Sequence, residues 1–409
     1  MFDSLEIPNT LAAGPGPGHT DSRVLASFAG SGVADHMQSD VLRGMREAKL
    51  MLRRVFGTQN IHTFGVGGTG FSGIDCMLSA VLPGDKIVVF VNGTFSGLDG
   101  LAVRMKASSR SDLAANPMNP TPDNVIIINT PHGESVTSEI VEAALATHYP
   151  KWAMMAHWET GSGRVNDVKG FSDACIKHDT MGMVDAVSSL GIADFSIDDY
   201  PGVVGWASCP QKGIQCLPLT YAPVSFTDKY IESIKETGVY NYVHHPILEA
   251  RHWGIVDSAD SETCTYHRTH SGYAISALHE SLRILLAHGR AEKAEDYEFY
   301  ESVLSEAVES MGCKVTSNMT SLVVFNLPQG FVGREKELVQ NCRAEGFGIW
   351  PTLSEPTQIR IGFLNQINQA AMTDIIGRFS DAMSNIGITV YKAKVLEQVK
   401  RRFDQRLIA

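Results

Sequence analysis

Short apolar runs alternating with helical stretches constrain the fold of this chain more than any other feature. Lys86–Val91 (KIVVFV), Asn124–Ile128, Trp152–Ala156, Met181–Val184 and Val203–Ala207 have strand length and are bounded by Gly, Pro, Asp or Asn. Between them, Phe71–Val81, Thr137–Thr147 and Phe171–Lys177 space their apolar residues at helical intervals, and Pro83-Gly84 separates the first helix from the strand after it. Passages of this kind predict βαβ units, and hence a largely parallel sheet covered by helices. After about residue 270 the order changes. A long amphipathic stretch, Tyr273–His288, is followed by a charged helix near Ala291–Met311, the strand Ser321–Asn326 and a helix near Arg334–Ala344. The strand Gln358–Gly362 and a terminal helix from about Asn368 complete a smaller α+β domain. Gly238–Glu262 is rich in Tyr, His and acidic residues with weak periodicity, and reads as a long loop.

The chain has 409 residues, enough for two or three domains and a sizeable core. Apolar residues are 44% and charged residues 19%, an ordinary globular balance. With 34 Lys and Arg against 45 Asp and Glu, the net charge of −11 argues against a nucleic-acid partner, which needs a basic excess. No apolar run approaches the roughly 18 residues of a membrane span, and the start, MFDSLEIPNT, lacks the basic and apolar regions of a signal peptide. Seven scattered cysteines, an odd number with no Cys-x-x-Cys pair, predict reduced thiols and a cytoplasmic setting. These bounds leave an acidic enzyme or a binding protein.

Three features carry chemistry. Gly65-Val-Gly67-Gly-Thr-Gly70 satisfies G-x-G-x-x-G, but the next strand ends at Asn92-Gly93 with no acidic residue for a ribose, so its context argues against a dinucleotide. Small residues at a helix N-terminus still suit a phosphate, and Thr69 adds a hydroxyl; a tight turn without ligand explains them equally. Asp185 follows an apolar run directly, where open α/β sheets place their ligands, although such an aspartate is often only a cap. Lys212, between Pro210 and Gly213 after another run, would alone be an ordinary solvated loop residue. A phosphate cradle, a carboxylate and a lysine at strand ends are together the parts that pyridoxal phosphate requires.

These residues carry a resemblance. The chain resembles the class V aminotransferases of pyridoxal-phosphate fold type I, in particular the alanine–glyoxylate and serine–pyruvate group. Nine segments follow that family's order: Asn9-Thr-Leu-Ala-Ala-Gly14-Pro-Gly16-Pro17, Val55–Asn60, Gly68-Thr69-Gly70, Asn92-Gly93-Thr-Phe95, His157–Gly163, Asp185–Gly191, Gln211-Lys212, Tyr266–Thr269 with the following Ala277–Leu282, and Ile359–Gly362. The resemblance implies a large cofactor domain over 21–290, a small α+β domain over 291–409, and an arm over 1–20 that brings Gly16 across the substrate. It implies pyridoxal 5'-phosphate held at its phosphate by Thr69, Gly70 and Phe71, with Phe95 stacked on the ring and Val187 packed on it. By the same resemblance, Thr160 is expected near the ring hydroxyl, Asp185 to pair with the pyridine nitrogen, and Lys212, beside Gln211, to be the Schiff-base and proton-transferring residue. Tyr266 and Thr269 reach the phosphate of the other subunit, which implies a homodimer with active sites at its interface, and Arg360 binds the substrate carboxylate. Arginine's planar fork suits that last task.

The expected reaction moves an amino group from a small amino acid such as alanine or serine to a 2-oxo acid such as glyoxylate or pyruvate. Departures bear on the substrate. Pro210 precedes Gln-Lys, Leu98 stands where the family often has Arg, and Thr269-His270-Ser271 replaces T-P-P. The histidines at 244, 245 and 252 lack a third ligand at metal spacing and read as loop residues, so no metal is expected. The 238–262 loop with Arg268 could receive a second anionic group, which makes a 2-aminoethylphosphonate–pyruvate aminotransferase the alternative. A desulfurase-type lyase fits less well, because Gln211 stands where that group has His. An NAD-dependent oxidoreductase rests on the glycine pattern alone, and a non-catalytic dimeric binding protein is the bland rival.

Overall fold

The computed structural model describes residues 11–30, 35–352 and 355–407. Asn9 and Thr10, which open the N-terminal motif, lie outside the described residues. The chain forms two compact units: Thr20–Glu295, and a second built from both ends, up to His19 and from Asp296.

The larger unit is organised by seven strands: β1 (His62–Gly67), β2 (Ile87–Val91), β3 (Val125–Asn129), β4 (Trp152–Ala156), β5 (Met181–Asp185), β6 (Val203–Ala207) and β7 (Tyr221–Phe226). Their spatial order is β1-β7-β6-β5-β4-β2-β3. Pairing is parallel from β6 through β3, while β7 runs antiparallel to both β6 and β1. The unit's helices are α1 (Ser22–Ala29), α2 (Ser39–Phe56), α3 (Gly70–Met77), α4 (Thr94–Ala107), α5 (Arg110–Ala115), α6 (Ser138–His148), α7 (Val168–Lys177), α8 (Asp228–Thr237), α9 (Pro246–His252) and α10 (Gly272–His288). All five predicted strands are present, and every residue of β4 and β6 is buried, which is why these runs are apolar throughout rather than alternating.

Two strands, β1 and β7, were not anticipated. The run Tyr221–Phe226 contains Pro223, which argues against a central strand because it cannot donate to a ladder. The fold accommodates it at the point where pairing stops: β7 pairs with β6 only over Val224–Phe226, and the Pro223 carbonyl accepts the Ser208 N–H at 2.8 Å. The 238–262 segment is also more ordered than a long loop. It contains α9 and the two-stranded ribbon Ile255–Val256 with Ala259–Asp260. His245 caps α9 through the Ile247 N–H and Pro246 occupies its first turn. Its periodicity is weak because the face it buries includes Glu249 and His252.

Helix termini follow their local chemistry. Ser271 opens α10 by accepting the Ala274 N–H, and α2 ends at Gly57 in the left-handed conformation, φ 61°. Trp152, Trp206, Phe90 and Phe171 are fully buried, each worth roughly 1.5–3 kcal/mol or more of apolar burial.

In the second unit, strands β8 (Lys314–Val315), β9 (Leu322–Asn326), β10 (Trp350–Pro351) and β11 (Gln358–Gly362) form an antiparallel sheet ordered β8-β9-β11-β10. Its helices include the C-terminal part of α11 (Arg290–Ser310), with α12 (Glu335–Ala344), α13 (Gln369–Asn385) and α14 (Lys392–Arg406). The predicted single terminal helix is therefore two. The N-terminal arm joins this unit: Leu11–Ala12 pairs in parallel with Phe347–Gly348, and the Gly362 N–H donates to the Ala13 carbonyl at 2.8 Å. A Cβ at Gly362 would stand 2.1 Å from the Gly14 carbonyl oxygen, so only glycine lets strand and arm approach this closely.

Candidate active site

The C-terminal ends of the parallel strands gather the predicted cofactor residues along one edge of the large unit's sheet, as the topology of open α/β sheets dictates. Asp185 ends β5, and its carbonyl accepts the His157 N–H at 2.8 Å, tying the ends of β4 and β5 together. The Val187 N–H donates to Asp185 Oδ1 at 2.7 Å. Burial pushes the Asp185 carboxyl up to about 6, against the opposing pull of the Val187 hydrogen bond and the Lys212 charge.

Lys212 lies on the turn after β6 and is only 8% exposed. Its Nζ donates to Ser188 Oγ at 2.9 Å and, more weakly, to Thr160 Oγ1 at 3.5 Å. The Phe95 ring centroid is 5.4 Å from the same nitrogen. Phe95 stands in the first turn of α4, which Glu159 anchors by accepting the Ser96 N–H and Oγ–H, each at 2.7 Å, and the Gly161 N–H at 2.6 Å. Ser188 and Glu159 lie within quoted motifs, yet sequence reasoning gave neither a role.

The glycine segment forms the opposite wall. Thr69 is the N-cap of α3 and makes no side-chain cap bond, so its hydroxyl is not spent on its own helix. The Gly70 and Phe71 N–H groups at the start of α3 precede the first intrahelical bonds, which begin with the Ser72 N–H to the Thr69 carbonyl, and suit an anion. A Cβ at Gly70 would fall 2.8 Å from Val187 and 3.1 Å from Cys209, so this glycine brings the turn against the residue expected to pack on the ring. A Cβ at Gly67 would fall 2.9 Å from the Arg268 guanidinium, which overlies the base of the turn. Phe71 is 42% exposed, and the buried Gln211 Oε1 has no partner among the described residues.

Arg268 is held there by Glu249, which is fully buried on α9 and accepts its Nε–H at 2.5 Å. His270 Nε2 is 3.3 Å from the other Glu249 oxygen, and its ring stacks on His252 with centroids 3.9 Å apart. His244 pairs with Asp75 at 2.9 Å. The histidines of this segment are thus engaged within the fold, and Arg268 is anchored through its Nε, while its buried Nη2 has no hydrogen-bond partner among the described residues. Tyr266 is exposed, and its hydroxyl lies 3.2 Å from Thr269 Oγ1.

The other predicted substrate residues belong to the second unit. Arg360 lies on β11, 4% exposed, and its Nη2 donates to the Pro351 carbonyl at 2.9 Å. Gly16 lies in the arm at φ 135°.

The donor set fits pyridoxal phosphate. A buried lysine amine and a buried carboxylate stand on neighbouring strand ends, with an aromatic ring beside the amine and an uncapped helix N-terminus closed down on Val187 by Gly70. Comparison with known proteins gives the same class. No protein-family profile matches the chain. It is 29% identical over 311 residues to the alanine–glyoxylate aminotransferase of Oryctolagus cuniculus, covering 75% of this chain and 74% of that protein. Its fold matches the ureidoglycine–glyoxylate aminotransferase of Bacillus subtilis with a TM-score of 0.86, at 20% identity and over 98% and 100% of the two chains. The alanine–glyoxylate aminotransferase of a Nostoc species superposes with a TM-score of 0.83, at 25% identity over 94% and 97%. Fold and site define a fold type I pyridoxal-phosphate enzyme. The chain is similar to the class V aminotransferases of the alanine–glyoxylate group.

Proposed function

We propose that the protein transfers the amino group of a small amino acid to a 2-oxo acid of the glyoxylate or pyruvate kind. The observation that carries this reading is the Lys212 amine, held by Ser188 and Thr160 beside Phe95, on the turn that follows the strand next to the one ending at Asp185. Residues 21–290 would hold the cofactor, and the arm over 1–20 with the domain over 291–409 would supply substrate contacts.

Bound, pyridoxal phosphate supplies an electron sink for the carbon that loses its proton. The chain's own residues do the rest. The hydroxyl of Thr69 and the N–H groups of Gly70 and Phe71 would hold the phosphate. Asp185, fixed through Val187, opposes the pyridine nitrogen with negative charge. Lys212 takes the proton from the substrate Cα and returns it at the other carbon of the amino transfer, and Ser188 keeps the amine aimed between the two. Phe95 and Val187 hold the ring in place. Arg360 engages the substrate carboxylate through its planar fork.

Arg360→Ala is expected to raise the KM for amino donors about 10–100-fold while leaving the visible absorption of the loaded protein unchanged. An unchanged donor affinity in steady-state assays would remove Arg360 from substrate binding. A donor panel of alanine, serine, aspartate and aminoethylphosphonate, followed as single half-reactions, tests the substrate class; turnover confined to aminoethylphosphonate would overturn the proposed one.

The active form is proposed to be a homodimer, with the exposed pair Tyr266 and Thr269 reaching the partner's phosphate turn. Tyr266→Phe combined with Thr269→Val should weaken cofactor retention and dimerisation together. A stable, cofactor-saturated monomer in analytical ultracentrifugation would contradict it. The seven free cysteines support a reducing, cytoplasmic setting, and among the described residues no helix is long and apolar enough to cross a membrane.

A further inference from the structure

Helix α4 brings a second carboxyl group into the cofactor half. Phe95 and Asp99 are four residues apart on it and so share a face. Asp99 is 1% exposed, and neither of its oxygens accepts a hydrogen bond from a donor among the described residues. The group it meets is the Asp185 carboxyl. Two carboxylates in contact in a dry pocket do not both ionise, and the stable arrangement shares one proton.

The surroundings decide which carboxyl keeps it. Asp185 has the Val187 N–H at 2.7 Å and the Lys212 charge to favour its anion. Asp99 has only burial and the negative charges of Asp185 and Glu159, and these hold it well above the usual carboxylate range. Glu159 is already satisfied by Ser96 and Gly161. His157, beside the Asp185 backbone, is pushed down to about 4 by burial and contributes no charge near neutrality.

We infer that Asp99 is a neutral carboxylic acid whose hydroxyl donates to Asp185, a positioning residue that keeps Asp185 ionised and aimed. Asp185 thereby receives two hydrogen bonds, one from backbone and one from α4, and retains acceptor capacity for the pyridine nitrogen. Only this last step rests on the proposed cofactor reading.

Infrared spectra of the apoprotein near neutral pH test the proton directly. A protonated-carboxyl stretch is expected in the unsubstituted protein and should be lost in both Asp99→Asn and Asp99→Ala. Its absence from the unsubstituted protein, or its persistence in both variants, overturns the inference. A variant that misfolds does not remove the test, because the first reading needs no substitution. On the loaded protein, Asp99→Ala should release pyridoxal phosphate about tenfold faster, whereas Asp99→Asn, whose amide can still donate, should stay within about twofold of the unsubstituted rate. Equal release from all three would overturn the positioning role. A protein that takes up no pyridoxal phosphate would sink the cofactor reading instead, and the infrared result on the apoprotein would stand apart from it.

Discussion

Lys212→Ala is expected to abolish the yellow colour of the cofactor-loaded protein and to lower amino transfer by at least about 10²–10⁴-fold. The amine is buried, donates to Ser188 and Thr160, and stands 5.4 Å from the Phe95 ring. Lys293, also fully buried, donates instead to the Gly213 carbonyl at 2.8 Å. Lys212→Ala leaves the phosphate turn, Asp185 and Phe95 intact, so the variant should still bind the cofactor non-covalently, with the absorption of the free aldehyde. Absorption spectra and single-turnover kinetics read both effects. A variant that kept its colour and turned over at the original rate would remove Lys212 from the chemistry.

Glu249→Gln is expected to cost about 3–5 kcal/mol of stability, toward the lower end because the Arg268 side chain remains 24% exposed. The substitution leaves the guanidinium without its counter-charge in a pocket shared with the His252–His270 stack. A denaturant titration measures the loss, and Glu249→Gln combined with Arg268→Met should recover much of it by removing the stranded charge. The effect also depends on pH. Burial pushes Glu249 up, but the hydrogen bond from His270 and the charge of Arg268 outweigh it, leaving the carboxyl below its ordinary 4.5. Its folded value is depressed, so its contribution is present above the unfolded value and is lost as pH falls through the folded one. Burial also lowers His270 below 6.5, so the unfolded chain takes up a proton there first and acid destabilisation begins near that pH. Glu249→Gln should flatten the acid limb of the stability curve. An acid limb identical to that of the unsubstituted protein would overturn this account. Because Arg268 overlies Gly67, cofactor affinity should fall with stability in the single variant.

The legible part of the fold was the part whose side chains are uniform. β4 and β6 announce themselves because both faces are buried and every residue is apolar or small. β1 is broken by Gly65 and Gly67 and β7 by Pro223, and both conform only because they pair with each other over six residues. α9 escaped notice because it buries Glu249 and His252, whose partners Arg268 and His270 lie outside the helix in the next stretch of chain. For the site, the order of short motifs pointed to Lys212, Asp185 and Phe95, since Asp185 ends a strand and the other two lie shortly after one. Asp99 was missed because a lone aspartate in a helix reads as solvated. The available signal was its four-residue spacing from Phe95, with meaning only once Asp185 lay opposite. Arg360 and Lys212 sit in different units, and no periodicity along the chain relates them.

The pairing of Leu11–Ala12 with Phe347–Gly348 has a consequence for biosynthesis. The strand partner of the arm emerges from the ribosome more than three hundred residues after it. The contiguous stretch Thr20–Glu295 can complete its sheet in the interval, since domains fold as units during synthesis. The unit that carries Arg360 closes only when both chain ends are available. A nascent chain released early would therefore hold a finished larger unit without the residues proposed to bind its substrate.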